Sequence, residues 1–338
     1  MVDTMRAVVV AEPGAPFEIV EREIPEPAPD EVRVAVDACG ICHSDSYVKD
    51  GGFPGIEYPR TPGHEIAGVV DAVGEDVTAW SEGDRVGAGW HGGHCFTCDP
   101  CRHGQFLQCE NGEITGLTFD GGYAEYATVP AEALALIPGG LDAVDAAPLL
   151  CAGVTTFNAL RNSGARPGDL VAVQGIGGLG HLGVQYAHAA GFETVALSRS
   201  PDKRELALEL GADHFVDASA EDPAEALQRL GGARVVLATA PSAAAVESVV
   251  GGLGIDGQVV VVGVPHEPAG IDLQGLIMNR GSVDGWASGH AGDSQDTLEF
   301  SALRDVTPTI ETYPLAEVDA AYERMMANEA RFRVVLEP

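Results

Sequence analysis

The sequence predicts an α/β chain in two parts: an irregular, β-rich, mostly antiparallel domain, then a parallel, doubly wound sheet with helices on both faces. Three observations carry this. A length of 338 residues at 35.0 kDa exceeds one small core and suits two domains. Residues 1 to about 150 are dense in Gly, Pro and short β-branched runs, whereas from Asp169 onward strand-like and helix-like stretches alternate. Apolar residues at 45% and charged residues at 21% are ordinary for a globular chain, which excludes disordered, collagen-like and disulfide-scaffold classes.

The elements follow in chain order. Met1 to Glu23 reads as a short strand pair carrying Asp3, Glu12, Glu18 and Glu21. It lacks the basic, apolar, small-residue order of a signal peptide, so the chain is expected in the cytoplasm. Strands are predicted at Glu31 to Val36, Ile66 to Val73 and Arg85 to Ala88. Next come a strand at Leu170 to Gln174, a helix to about Ala190 and a strand at Thr194 to Ser198. A helix at about Asp202 to Leu210 precedes strands at His214 to Val216, Val235 to Ala238 and Gln258 to Val262, with helical stretches between. Such alternation makes the sheet parallel, because each helix carries the chain back to the same end. A helical stretch at Leu315 to Asn328 and a strand at Arg333 to Leu336 finish the chain. Leu170 to Phe192 is uncharged and long enough to span a bilayer, yet Gln174, His181, Gln185, His188 and six glycines suit a strand, a turn and a buried helix instead.

Charge narrows the partners. Fifty-one acidic residues against 19 basic ones give a formal net charge of -32, which argues against binding nucleic-acid phosphates. Only Lys49 and Lys203 are lysines. Two readings stay open: a compositional bias of Arg over Lys in a chain that is also acidic, or adaptation to high salt, where counterions screen the self-repulsion.

Seven cysteines, clustered at short spacings, point to metal ligation before disulfides. Cys95, Cys98, Cys101 and Cys109 stand at intervals of three, three and eight. Four thiolates on one loop with Gly92, Gly93, Pro100 and Gly104 can close a tetrahedral zinc shell. His91, His94 and His103 beside it are expected at the surface. A second set is scattered: Cys42, His64 and Cys151, two thiolates and an imidazole that would leave zinc's fourth position open. Taken singly these residues carry little weight, since a lone Cys often acts as a small hydrophobe. Their flanks are Cys-Gly-Ile-Cys-His-Ser-Asp at Cys39 to Asp45, Pro-Gly-His-Glu at Pro62 to Glu65, and Thr155 after Cys151.

With these motifs, the four-cysteine loop, the turn Gly-Ile-Gly-Gly-Leu-Gly-His at Gly175 to His181 and Arg333 near the end, the sequence resembles the zinc-dependent alcohol dehydrogenases of the medium-chain dehydrogenase/reductase superfamily. The resemblance runs over nearly the whole chain. It implies a GroES-like catalytic domain from residues 1–151 and 288–338 and a Rossmann cofactor domain from 152–287. It implies that Cys42, His64 and Cys151 ligate catalytic zinc, that Glu65 can approach the metal, and that Asp45 orients the histidine ligand. Ser44 is placed to receive the alcohol proton. Tyr47 stands where many members carry a relay histidine, which leaves the proton's exit to a ribose hydroxyl, His43 or water. His43 and Arg333 resemble the basic residues that meet the cofactor pyrophosphate, and Thr155 belongs with the cofactor set. Trp90, with Tyr47, matches the substrate pocket, although Trp90 also suits a core. Cys39 needs no role beyond packing. Members pair through edges of the cofactor-domain sheet, here Gln258 to Val262 and Ser282 to Trp286, so a homodimer or homotetramer is expected.

Gly175, Gly177 and Gly180, with Gly178 and Leu179 between them, follow an apolar strand and open a helix. There the glycines let the backbone approach a pyrophosphate and the helix start favours its charge. NAD sites usually carry an Asp or Glu about 20 residues on, but the next strand ends in Ser198, Arg199 and Ser200. Two hydroxyls and a guanidinium suit a 2'-phosphate, so NADP is expected, with NAD the alternative.

The function expected is the interconversion of alcohols with aldehydes or ketones by hydride transfer, with two zinc ions per chain. A zinc-independent quinone or enoyl reductase of the same superfamily would lack the set Cys42, His64 and Cys151. A non-enzymatic zinc- and nucleotide-binding sensor would have no need of an open site with Ser44 beside it.

Overall fold

Val32, Val34 and Val36 alternate with Arg33, Ala35 and Asp37, and this period of two draws out the strand Glu31–Ile41 with its valines buried. A computed structural model describes residues 3–338 of the chain. The chain divides into two compact units, one running up to Val154 together with Gly289–Pro338, the other Thr155–Ser288.

In the first unit a seven-stranded sheet runs Ile310–Pro314, Arg333–Glu337, Glu31–Ile41, Ile66–Val73, Arg85–Ala88 and Leu134–Leu136, with Tyr126–Pro130 also paired to Glu31–Ile41. All of its pairings are antiparallel except that of Ile310–Pro314 with Arg333–Glu337. Thr4–Val10 and Phe17–Glu23 form the predicted hairpin. The core holds Val8, Val34, Ile41, Ile66, Val86 and Val334. Register shifts between Val36 and Ala38, where Glu31–Ile41 pairs with Ile66–Val73, and from Ala38 on every residue is buried. Such a bulge turns the strand end fully into the interior. The end that carries Cys42 is the end so buried.

The second unit is a six-stranded, wholly parallel sheet ordered His214–Asp217, Glu193–Ser198, Leu170–Gln174, Ala233–Ala238, Leu253–Val261, Ser282–Gly285. Leu170–Gln174 is buried at every position, as a strand covered on both faces must be. Strand order reverses beside it, so the turn that follows lies where open parallel sheets bind ligands. One sequence expectation fails here. Leu253–Val261 pairs on both sides, with Ala233–Ala238 and with Ser282–Gly285, so Gln258 to Val262 has no free backbone to offer a second subunit. Ser282–Gly285 is one edge of the sheet, and His214–Asp217 is the other.

Among the described residues one helical run, Ala143–Arg161, is long and apolar enough by length and composition to cross a membrane, and 72% of its most apolar window is buried inside the protein.

Candidate metal and active site

Three strand ends of the first unit converge. Cys42 follows Glu31–Ile41, His64 and Glu65 precede Ile66–Val73, and Arg333 opens Arg333–Glu337. Antiparallel register sets Cys39 opposite Ile66 and Ile41 opposite Val334, so these residues meet although about 290 positions separate the ends. Cys151 arrives on a π-helical turn, Leu149–Gly153. Wide turns of this kind recur at functional sites because they redirect one side chain out of a helix.

One ligand atom from each of Cys42, His64, Glu65 and Cys151 lies within 4.8 Å of the others. The two sulfurs are 3.7 Å apart, close to the roughly 3.8 Å expected of ligands 2.3 Å from a tetrahedral centre. Nε2 of His64 is buried with no hydrogen-bond partner among the described residues. Its Nδ1 meets Asp45 Oδ1 at 3.0 Å, and Oδ2 of Asp45 accepts the backbone N–H of Cys42 at 2.8 Å. An orphaned imidazole nitrogen facing two thiols is a costly arrangement in a dry interior, and a divalent cation relieves it. The residues present therefore fit zinc.

Without a cation, these groups hold one another's protons. The hydrogen bond from Cys151 lowers the Cys42 thiol well below its ordinary range against the cost of burial, with help from His64 and Arg333, while the Cys151 thiol is raised. Burial opposes charge on His64, but Asp45 and Cys42 outweigh it and raise the imidazole. Burial pushes Glu65 up to about 7 even though Arg333 pulls the other way. Arg333 donates to Oε1 of Glu65 and, at 3.3 Å, to the carbonyl of Ile41. Gly40 makes room for that carboxylate, since a Cβ there would meet Glu65 Oε2 at 1.8 Å. The partner of Arg333 in this structure is thus Glu65. Sequence reasoning had no signal for the pair, whose members are 268 residues apart.

The other candidates near the site are placed as follows. His43, Ser44 and Asp45 form a 3-10 turn on which His43 is exposed, Ser44 half-buried and Asp45 fully buried. The Trp90 ring packs edge-on to His64 at 5.0 Å between centroids. Tyr47 packs against Phe53 at 5.9 Å.

The four-cysteine loop is a second metal-sized cluster, with ligand atoms of Cys95, Cys98, Cys101 and Cys109 mutually within 4.8 Å. Backbone N–H groups of Cys95, Cys98 and Asn111 donate to its sulfurs at 3.3, 3.4 and 3.4 Å. Hydrogen bonds from Thr97 and Asn111 draw Cys95 down to about 5, while burial and its neighbours push Cys101 up to about 12. Four thiols this close cannot all ionise without a cation between them, which fits a closed zinc shell. His91 corrects an expectation: only 5% exposed, it is buried with Nε2 3.2 Å from Nδ1 of His94, whose ring stacks on Phe106. The strand His91–Gly93 turns it inward, a direction that the surrounding polar sequence concealed.

In the second unit, the turn after Leu170–Gln174 is tight. A Cβ at Gly180 would strike the Gly175 carbonyl at 1.7 Å, so the fold itself demands that glycine. At Gly177 a Cβ would meet nothing within 4 Å. Packing within the chain therefore does not demand that glycine, and the open space beside it is what a pyrophosphate cradle needs. Gly178 and Leu179 lie half-buried in the same turn, and Thr155 is buried at the start of this unit. Ser198 Oγ accepts the Ser200 N–H at 3.1 Å, and Arg199 is exposed. Lys203, which the sequence marks only as one of two lysines and to which it assigns no site role, donates to the Ile176 carbonyl at 2.8 Å and so brings a cation to the glycine turn. Its signal was rarity: one of two lysines among 51 acids.

Comparison with known proteins agrees with this geometry. Residues 28–139 match the alcohol dehydrogenase GroES-like domain, and residues 178–303 match the zinc-binding dehydrogenase domain. The chain is 44% identical to the alcohol dehydrogenase patD of Penicillium expansum over 335 residues, which is 98% of this chain and 97% of that one. It superposes on a cobalt- and zinc-bound thermostable alcohol dehydrogenase from Pyrobaculum aerophilum with a TM-score of 0.88 at 31% identity, covering 99% and 100% of the two chains. A zinc-binding dehydrogenase from Sinorhizobium meliloti 1021, bound to NADP, superposes with a TM-score of 0.89 at 30% identity, again over 99% and 100%. Ligand geometry, both domain matches and full-length likeness together make this chain a member of the zinc-dependent alcohol dehydrogenases of the medium-chain dehydrogenase/reductase superfamily.

Proposed function

We propose that the chain oxidises alcohols and reduces the matching aldehydes or ketones with NADP(H), using zinc held by Cys42, His64 and Cys151 and a second, structural zinc held by Cys95, Cys98, Cys101 and Cys109. The observation that carries this is the buried His64 Nε2, without a hydrogen-bond partner among the described residues and beside two sulfurs 3.7 Å apart. Zinc bound there supplies Lewis acidity to an alcohol or carbonyl oxygen. Asp45 fixes the tautomer of His64, leaving Nε2 free to ligate. Arg333 offsets the charge of Glu65 beside the two thiolates through Nη2, while its Nε has no hydrogen-bond partner among the described residues. Ser44 takes the proton of the substrate hydroxyl and hands it to His43, a ribose hydroxyl or water. Trp90 and Tyr47 line the substrate side.

The unit Thr155–Ser288 with its glycine turn takes the dinucleotide, and the unit containing both cysteine sets is the catalytic one. Preference for NADP rests on Ser198, Arg199 and Lys203 and on the lack of a carboxylate at the strand end. A cytoplasmic setting is supported by the six cysteines placed as metal ligands, thiolates that a reducing compartment keeps from oxidation. Pairing with a second copy through Ser282–Gly285 is supported by the exposed apolar side chains Ile255, Leu273, Ile277 and Met278 in the neighbouring segments. Light scattering tests it; a monomer at micromolar concentration contradicts the pairing.

The decisive experiment is a panel of alcohols and aldehydes assayed with both NADP(H) and NAD(H), alongside zinc analysis of the purified chain. Turnover of alcohols with NADP and two zincs per chain is expected. One zinc, or turnover of quinones or enones alone, overturns the reading.

A further inference from the structure

Tyr123 belongs to none of the motifs that mark the zinc site, yet it reaches the residue that orients the histidine ligand. Its ring is fully buried, and its hydroxyl donates to Asp45 Oδ2 at 2.8 Å. The same carboxylate accepts the Cys42 N–H at 2.8 Å and contacts His64 Nδ1 at 3.0 Å. With one contact on each oxygen, from His64 Nδ1 and from the Cys42 N–H, the carboxylate can still tilt about the line that joins them. A second donor from a distant part of the chain fixes its plane.

The ring is held by the residue just before His64. Gly63 has a φ of +104°, and a Cβ there would meet Tyr123 Cδ1 at 2.5 Å and Cys39 Sγ at 2.9 Å. Glycine in Pro-Gly-His-Glu thus serves both the backbone bend and the seat of the ring. Tyr123 therefore packs on one neighbour of His64 and hydrogen-bonds to the other.

We propose that Tyr123 is a positioning residue for the open zinc site: its hydroxyl locks the Asp45 carboxylate, which holds His64 with Nε2 toward the two thiols. This rests on reading Cys42, His64 and Cys151 as zinc ligands. Partners of ligating histidines typically change metal affinity about ten- to a hundredfold when removed. Loss of Tyr123's hydroxyl acts through Asp45, so its effect belongs at the lower end, about tenfold.

The test is zinc release from the full chain to an excess of a chromophoric chelator. The wild type should show two phases, one for each cysteine set. Tyr123→Phe, which keeps the ring, should speed the open-site phase about tenfold and leave the four-cysteine phase unchanged. Tyr58→Phe is the control: its hydroxyl donates to the Val48 carbonyl at 2.6 Å in the same unit and not to the Asp45 carboxylate, and its loss should leave both phases as in the wild type. In an Asp45→Asn background, Tyr123→Phe should add less than about a further twofold, because the two act through one contact. An unchanged open-site phase, equal acceleration by Tyr58→Phe, or multiplying effects with Asp45→Asn overturns the proposal. A wild type with the four-cysteine phase alone overturns the zinc-site reading itself and this proposal with it.

Discussion

Arg199 tests the cofactor reading at the level of one side chain. A charge-assisted contact to a phosphate contributes about 1.5 to 3 kcal/mol, or roughly ten- to a hundredfold in affinity. Arg199→Ala should weaken NADP(H) by that factor and leave NAD(H) little changed, measured by fluorescence titration at one fixed salt concentration. Ser198→Asp should shift preference toward NAD(H), because a carboxylate accepts from ribose hydroxyls and repels a 2'-phosphate. Equal weakening of both cofactors by Arg199→Ala would put the arginine on a part that the two share, and no weakening of either would leave it a solvated surface residue; both outcomes refute the 2'-phosphate contact. His91 offers a test in pH. Burial, with His94 and His290, lowers it from an ordinary 6.5 to about 4. The unfolded chain then binds the proton first, so the stability it contributes is complete above about pH 6.5 and lost as pH falls toward about 4, on the order of 3 kcal/mol at most. His91→Gln cannot titrate. Its deficit in melting temperature should therefore be smaller at about pH 5 than at about pH 7.5, and a constant deficit would refute the assignment.

At the scale of elements, the two cysteine sets should fail differently. The loop from Cys95 to Cys109 contains one helical turn, Asp99–Arg102, and one 3-10 turn, Phe106–Gln108, so its shape depends on bonds to sulfur. Cys98→Ser should release the structural zinc and unfold the loop, seen as proteolytic nicking there, since metal binding and local folding are coupled. Cys42 instead sits at the end of a strand paired along its length. Cys42→Ser should remove one zinc and turnover while leaving the melting temperature within a few degrees, which is about 1 kcal/mol for a chain of this size. If both variants nick alike, the division into structural and catalytic sites is wrong.

For the whole molecule, the dominant number is the net charge of -32. Screening at molar salt shortens the Debye length to about 3 Å and weakens repulsion among carboxylates. The melting temperature should rise from dilute buffer to molar KCl. Equal values would reduce the acidic composition to bias.

The sequence by itself determined the order and period of the elements. Val32, Val34 and Val36 wrote a half-buried strand, Leu170–Gln174 a fully buried one, and the glycine spacing a tight turn from strand to helix, because these signals are local to the backbone. Both cysteine sets were legible too, one from its spacing and the other from its motifs. Only the tertiary structure decided what depends on register and direction. It set Arg333 on Glu65, Tyr123 on Asp45, Lys203 at the glycine turn and His91 in the interior, and it covered both sides of Leu253–Val261. Each of these outcomes joins residues whose neighbours in sequence say nothing of one another. Pairing of strand ends and the facing of single side chains are fixed by packing across the sheet, and no periodicity along one chain segment encodes them.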